Sequence, residues 1–272
     1  MIIKNLKNTP FISLMDCFHK CFENYFVSFP RENQLWKKRW ENVKVDYSLS
    51  YGMFVNDKLV GFIINAVDYR NGKLIAFNTG TGVLPEYRGK RIVKSIYKYA
   101  LPDLKKNRVE LCRLEVIKEN IIAIKSYQSI GFKITKNYKC YTGKIKLSSN
   151  EIKELKEINF KEYSLLQTPN QEFYSWDNHK NAIRNNTDYA YYKVLSNNKI
   201  TSCFAINSKN GYVSQFDCVS INNYTHLFKS IQQISKTIKI NNVDEQLMDK
   251  ISFLKKIGLK NTVNQFEMEL LL

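Results

Sequence analysis

Arg88-Gly89-Lys90-Arg91 is the first stretch of this chain whose residue types and spacing suit chemistry. It follows an apolar run ending at Val83-Leu84-Pro85. It opens directly into Ile92, Val93, Ile96, Tyr97 and Ala100, which recur at helical spacing. A strand, a basic turn containing glycine and a helix N-terminus make an anion trap. Free backbone N–H groups and the helix dipole point at one place, and a phosphate suits them. Downstream, Leu114-Glu115-Val116 reads as a strand with a single acid. Asn120, Ala123, Tyr127 and Gly131-Phe132 follow it in a fixed order.

Taken together, these two segments resemble the GNAT superfamily of acetyl-CoA-dependent N-acetyltransferases. Members carry V-x-P-x-x-R-G-x-G-x-G/A, then a strand and N-x-x-A-x-x-x-Y-x-x-x-G-F on a helix. Here Val83, Pro85, Arg88 and Gly89 match the first pattern, and Asn120, Ala123, Tyr127, Gly131 and Phe132 match the second. Arg91 and Val93 stand where the first pattern has Gly and Gly/Ala. Their side chains would crowd a pyrophosphate, although Arg91 would equally add a charge-assisted contact.

The resemblance implies a cofactor, acetyl-CoA as cosubstrate, and an amine acceptor on a small molecule or peptide. The backbone of Arg88, Gly89, Lys90, Arg91, Ile92 and Val93 would hold the pyrophosphate. Val83 would pair with the pantetheine arm, and Asn120 would hydrogen-bond it. Tyr127 stands where relatives place the general acid for the departing sulfur. Glu115, the acid in the interior of its strand, is the first choice for a base. A structural pair with Arg113 is the competing role for Glu115, Asp68 is a second candidate, and a water relay is a third. The same residues also suit a non-catalytic acyl-CoA-binding or interaction module.

Composition bounds these readings. At 272 residues the chain is long for one domain of this kind. No apolar run reaches the length of a membrane span, and the N-terminal residues lack the apolar core of a signal peptide, so a cytoplasmic location is expected. The net charge of +17 raises nucleic-acid binding. The lysines are dispersed among Asn and Ile with no Arg-rich arm, so a solvated basic surface is the preferred reading and nucleic acid is not an expected partner. Six cysteines form no CxxC pair, and Cys17, His19 and Cys21 have no second ligand pair; reduced buried thiols and no metal are expected. A monomer and a homodimer fit equally.

The elements expected to position these residues form an α/β fold: a mixed, largely antiparallel central sheet with flanking helices, in two tandem copies. An edge strand (residues 1–6) precedes an amphipathic helix over 11–26 and a second helix from Pro30 through Trp36 and Trp40. Strands over 48–55, 59–67 and 73–83 form a meander, with turns at Asn56-Asp57 and Asn71-Gly72. Gly80 and Gly82 either leave room for a ligand arm or mark a bulge. A helix over 88–106 should kink or stop at Pro102. A strand over 110–117, a helix over 121–130 and a hairpin over 132–145 complete the first domain, 1–146. The second, 147–272, begins after the polar Ser148-Ser149-Asn150 and repeats the order of elements, with strands over 189–195, 199–207 and 212–219 and a helix over 225–239. Its counterpart of the anion trap, Ser220 to Thr225, has no Arg, Gly or Pro. It reads as a degenerate copy that binds no cofactor by this route, braces the first half and shapes the acceptor cleft.

Overall fold

The computed structural model describes residues 1–148, 154–219 and 223–272. They form two compact units: Met1–Thr135 with Phe266–Leu272, and Lys136–Gln265. The division therefore falls ahead of the expected boundary at 146/147, and the last seven residues belong to the first unit. Part of the expected linker, residues 149–153, lies outside the described residues.

The first unit opens with β1 (Ile2–Asn5), an edge strand antiparallel to β2 (Tyr51–Val55). Between them lie α1 (Phe11–Cys21) and α2 (Asn33–Asn42). Helix α1 stops at Cys21, not at Phe26. Residues Phe22, Tyr25, Phe26 and Phe29 instead form an aromatic loop in which Tyr25 stacks on Phe29 at 5.7 Å. The meander continues through β3 (Lys58–Arg70) and β4 (Lys73–Val83). Its turns take positive φ at Asn56, Asp57 and Asn71, as a tight hairpin requires.

A short 3-10 turn (Pro85–Tyr87) leads to α3 (Ile92–Lys106). Pro102 does not end α3. The proline and Lys98, whose carbonyl loses its partner, are both exposed, so the freed group is open to solvent. Parallel to β4 runs β5 (Leu111–Ile117), followed by α4 (Ile121–Ile130), which Gly131 terminates at φ 115°. The C-terminal residues lie beside β5, where Leu272 N–H bonds Glu110 C=O at 3.0 Å. Arg113 pairs there with Glu269 at 2.5 Å. The core is continuous from Phe18, Trp36 and Trp40 on the two leading helices, through Phe62 and Ile64 on β3, to Ile96 and Tyr97 on α3.

The expected hairpin over 132–145 is one strand, β6 (Lys133–Lys144). In the second unit it pairs with β11 (Thr237–Asp244), from Thr237↔Lys144 to Asp244↔Tyr138. The unit's other elements are β7 (Glu154–Ile158), α5 (Phe160–Leu165), α6 (Lys180–Ile183), β8 (Ala190–Ser196), β9 (Lys199–Asn207), β10 (Tyr212–Cys218) and α7 (Tyr224–Ile234), then α8 (Met248–Lys256) and β12 (Lys260–Leu271). Strands β7 to β10 form an antiparallel meander. The helix expected over 225–239 ends at Ile234, because Ile238 and Ile240 alternate with polar neighbours and bury their side chains as strand residues.

Candidate active site

The β4–β5 ladder pairs Ile75 with Leu111 and closes at Asn78↔Leu114. Strand β4 runs on to Val83 and β5 to Ile117, so the two part beyond that point. Just there β4 carries a bulge: Ile64 of β3 pairs with Gly80 and Asn65 with Asn78, leaving Thr79 unpaired in register. Asn78 spans the bulge with its buried side chain. Its Oδ1 accepts from Gly80 N–H at 3.0 Å, and its Nδ2 donates to Thr81 Oγ1 and to Tyr97 Oη, both at 2.7 Å.

Tyr127 lies buried on α4, against Phe132 and Tyr97 at ring separations of 5.8 and 6.5 Å. Burial pushes its hydroxyl up to about 12, and a hydrogen bond from Thr81 holds it back in part. Asn120 caps α4, its Oδ1 accepting from Ala123 N–H at 3.2 Å. The Tyr25 hydroxyl lies near it, brought there by the aromatic loop.

Helix α3 begins without a side-chain cap and without an acid in its first turn. Arg91 holds the N-cap position at φ 55° and ψ 27°, a left-handed conformation that suits the Gly of the family pattern better than an Arg. Gly89 sits at φ 77° with open space around it. The side chain of Arg88 does not face this opening. Its Nη2 donates to Cys21 C=O at 2.9 Å and its Nε to Val83 C=O at 3.3 Å, tying the end of α1 to the turn. Lys90 lies over the Tyr87 ring. Ile92 is buried, while Val83 and Val93 pack half-buried against the core.

Among the residues proposed from sequence, Tyr127, Asn120 and Val83 come to the parted strands, and residues 88–93 form the turn at their end. Glu115 is half-buried, one residue past the last ladder pair. Asp68 does not join them. It pairs with Ile75 at the ladder's other end and is committed to Lys44 (2.7 Å) and Arg70. Burial would raise its carboxyl, but the two cations outweigh burial and hold it below the usual range. Gly82 is explained by packing, because a Cβ there would meet Phe62 at 2.6 Å and Cys21 at 2.9 Å. A Cβ at Gly80 would meet only ordinary contacts. Asn78, Thr81, Tyr97 and Tyr25 were not anticipated. The polar run Asn78-Thr79-Gly80-Thr81 inside an apolar strand was the available signal. Cys17 and Cys21 are buried with their sulfurs 3.9 Å apart. Among the described residues no cluster of His, Cys, Asp and Glu suits a metal, and no helix is long and apolar enough to cross a membrane.

In the second unit, β10 and β11 are parallel but share only the pair Tyr212↔Lys239. The opening beyond it is a crevice lined by Tyr174, Phe216, Asn242, Asp244 and Lys250. Lys250 Nζ and Asp217 Oδ1 meet at 2.5 Å there, both buried. Tyr174 donates to Asp217 Oδ2 at 2.8 Å. Residues 220–222 of the expected counterpart turn lie outside the described residues, and Asn223 caps α7. Asp244 is buried too. Its Oδ1 accepts from Gln246 N–H at 3.0 Å, while its Oδ2 has no hydrogen-bond partner. Burial raises its carboxyl above the usual range. A group raised in the folded state contributes stability below its unfolded value and loses it as pH rises through the folded one. Asp244→Asn is therefore expected to stabilise the chain by about 1 kcal/mol at neutral pH. The gain should vanish in acid, and denaturation at several pH values measures it.

Residues 11–132 match the sequence profile of the Acetyltransferase (GNAT) family. No protein of curated function matches the chain. Among solved structures, a tandem GNAT protein from the clavulanic acid biosynthesis pathway is similar over 99% of this chain and 98% of its own, at 10% identity and a TM-score of 0.73. A GCN5-related N-acetyltransferase from Sphaerobacter thermophilus is similar over 99% and 95%, at 9% identity and 0.70. One from Kribbella flavida is similar over 100% and 71%, at 13% identity and 0.61. At such identities the likeness is one of fold. The chain thus carries a domain of the GNAT acetyltransferase family at residues 11–132, within a fold shared with tandem GNAT proteins. The class of chemistry that family defines is acyl transfer.

Proposed function

We propose that the first unit is an N-acetyltransferase that moves an acetyl group from acetyl-CoA directly to an amine of a small molecule or peptide. One observation carries this reading: β4 and β5 part at Asn78/Leu114, with the Tyr127 hydroxyl near Thr81 on the parted stretch. The residues present fit the cosubstrate. The unpaired edge of β4 beyond Asn78 offers main-chain groups to an amide-bearing arm, and the uncapped start of α3 offers N–H groups to a pyrophosphate.

When bound there, acetyl-CoA supplies the activated acyl group. The backbone from Arg88 to Val93 holds its phosphates, helped by the charges of Lys90 and Arg91. Asn120 would hydrogen-bond the arm. Tyr127, protonated at any physiological pH, gives its proton to the departing sulfur. Glu115 or a water relay takes the proton of the amine. We read the second unit as a degenerate copy that holds no CoA. Its parted strands are occupied by Tyr174 and the Lys250–Asp217 pair.

Calorimetric titration of acetyl-CoA into the wild type and into Val93→Asp tests the site. Micromolar binding is expected in the wild type. The variant should weaken it at least about tenfold by placing a carboxylate at the phosphates. Absence of wild-type binding would overturn the proposal. Binding without turnover across an amine screen would instead favour a non-catalytic acyl-CoA-binding module, a reading suggested by the strained Arg91 at the turn.

A further inference from the structure

The aromatic loop that follows α1 begins on the parted stretch of β4. Cys21 C=O accepts there from Arg88 Nη2 at 2.9 Å, and a Cβ at Gly82 would meet the Cys21 Cβ at 2.9 Å. Further along, the loop reaches the start of α4, where the Tyr25 hydroxyl lies near Asn120. Tyr25 is near Tyr127 as well: that hydroxyl, raised first by burial, is raised further by Tyr25. The loop thus passes from the β4 side of the opening to the α4 side, beside the proposed proton donor.

Ring contacts give the loop its shape. Phe18, buried on α1, meets Phe22 at 4.6 Å; Phe22 meets Tyr25 at 5.0 Å, and Tyr25 meets Phe26 at 5.3 Å. This series runs from the core out to solvent, for Phe26 is 54% exposed. On the α4 side Ile121 and Ile122, directly after Asn120, are 52% and 86% exposed. Large apolar side chains left in water beside a reactive opening mark a surface that a ligand covers. From Phe22 to Phe29 the sole charged residue is Glu23, which is exposed, so the loop holds no buried acid for a second ammonium. Rings do suit one ammonium on an apolar skeleton, since their faces attract the charge and their area covers the skeleton.

We propose that Tyr25 and Phe26 set acceptor specificity and that the acceptor is a monoamine bearing an aryl or branched apolar group near its nitrogen, an assignment that rests on the acetyltransferase reading and narrows its acceptor. The apolar group lies against the Tyr25 and Phe26 rings while the nitrogen meets the acyl carbon beside Tyr127. The ammonium gives one proton to Glu115 or water, and the free amine attacks the thioester carbonyl. A C–N bond forms as the C–S bond breaks. Tyr127 protonates the departing sulfur and is restored by the second proton that the nitrogen loses.

Initial rates with 2-phenylethylamine, ethylamine and putrescine at saturating acetyl-CoA test the assignment. kcat/KM for 2-phenylethylamine should exceed that for either of the others at least about tenfold, because only its ring buries apolar area on the loop. Phe26→Ala, at an exposed position, should raise KM for 2-phenylethylamine about fivefold with little change in kcat, and affect ethylamine far less. Tyr25→Ala should do the same more strongly, and Tyr25→Phe, which keeps the ring, should keep the preference. Calorimetry with acetyl-CoA should give the same Kd for each variant as for the wild type. A wild type that binds no acetyl-CoA would overturn the acetyltransferase reading and this assignment with it. Wild-type binding with no turnover of 2-phenylethylamine, with equal or better use of putrescine or ethylamine, or with equal losses for 2-phenylethylamine and ethylamine in the variants would overturn the assignment alone.

Discussion

Lys250→Met is expected to cost the chain about 3–5 kcal/mol of stability, measured by chemical denaturation of the full-length protein. The ammonium and the Asp217 carboxylate are 2% and 1% exposed and meet at 2.5 Å. Lys250 also donates to Phe216 C=O at 3.0 Å, and Asp217 receives Tyr174 at 2.8 Å. The pair need not be more favourable than two apolar residues, since desolvating both charges offsets most of their attraction. Breaking it is different, because the remaining carboxylate is buried with no cation. Combining Lys250→Met with Asp217→Asn should therefore recover about half of the loss or more, as no charge is then left unpaired. A cost below about 1 kcal/mol for the single change would show that water reaches the site and solvates Asp217.

The features legible in the sequence are those that short stretches determine. Asn56-Asp57 and Asn71-Gly72 set the meander because their positive φ values are local preferences. Gly131 ends α4 for the same reason, and the spacing from Asn120 to Phe132 fixes which residues share that helix. The destination of β6 was not legible. Its residues fit a strand, but nothing within Lys133–Lys144 specifies β11, about 95 residues further on, as the partner. For the same reason the last seven residues could not be assigned to the first unit from their own sequence. Within the site, the motif identified Tyr127 and Asn120 but not what orients them. Asn78 and Thr81 act through a bulge, which shifts register by one residue and brings two polar side chains together where strict alternation would separate them.

That orientation makes Tyr127→Phe the substitution with the largest expected effect on turnover, about 10²–10⁴-fold in kcat with acetyl-CoA binding unchanged by calorimetry. In the proposed reading the phenol is the group that meets the departing sulfur, with the Thr81 hydroxyl, itself held by Asn78, beside it. Thr81→Val should lower kcat about tenfold, since losing the Thr81 hydroxyl raises that of Tyr127 further and makes it a weaker acid. Thr81→Ser keeps the hydroxyl and should retain most of the rate, which separates the effect of the hydroxyl from packing. The pH profile gives an independent readout. With the Tyr127 hydroxyl at about 12, its ionisation cannot set the alkaline limb, and kcat should not fall through loss of this proton below about pH 10. A wild-type enzyme that turns over acetyl-CoA while Tyr127→Phe keeps its full rate would remove Tyr127 from the mechanism. The proton would then reach the sulfur from water admitted between the parted strands.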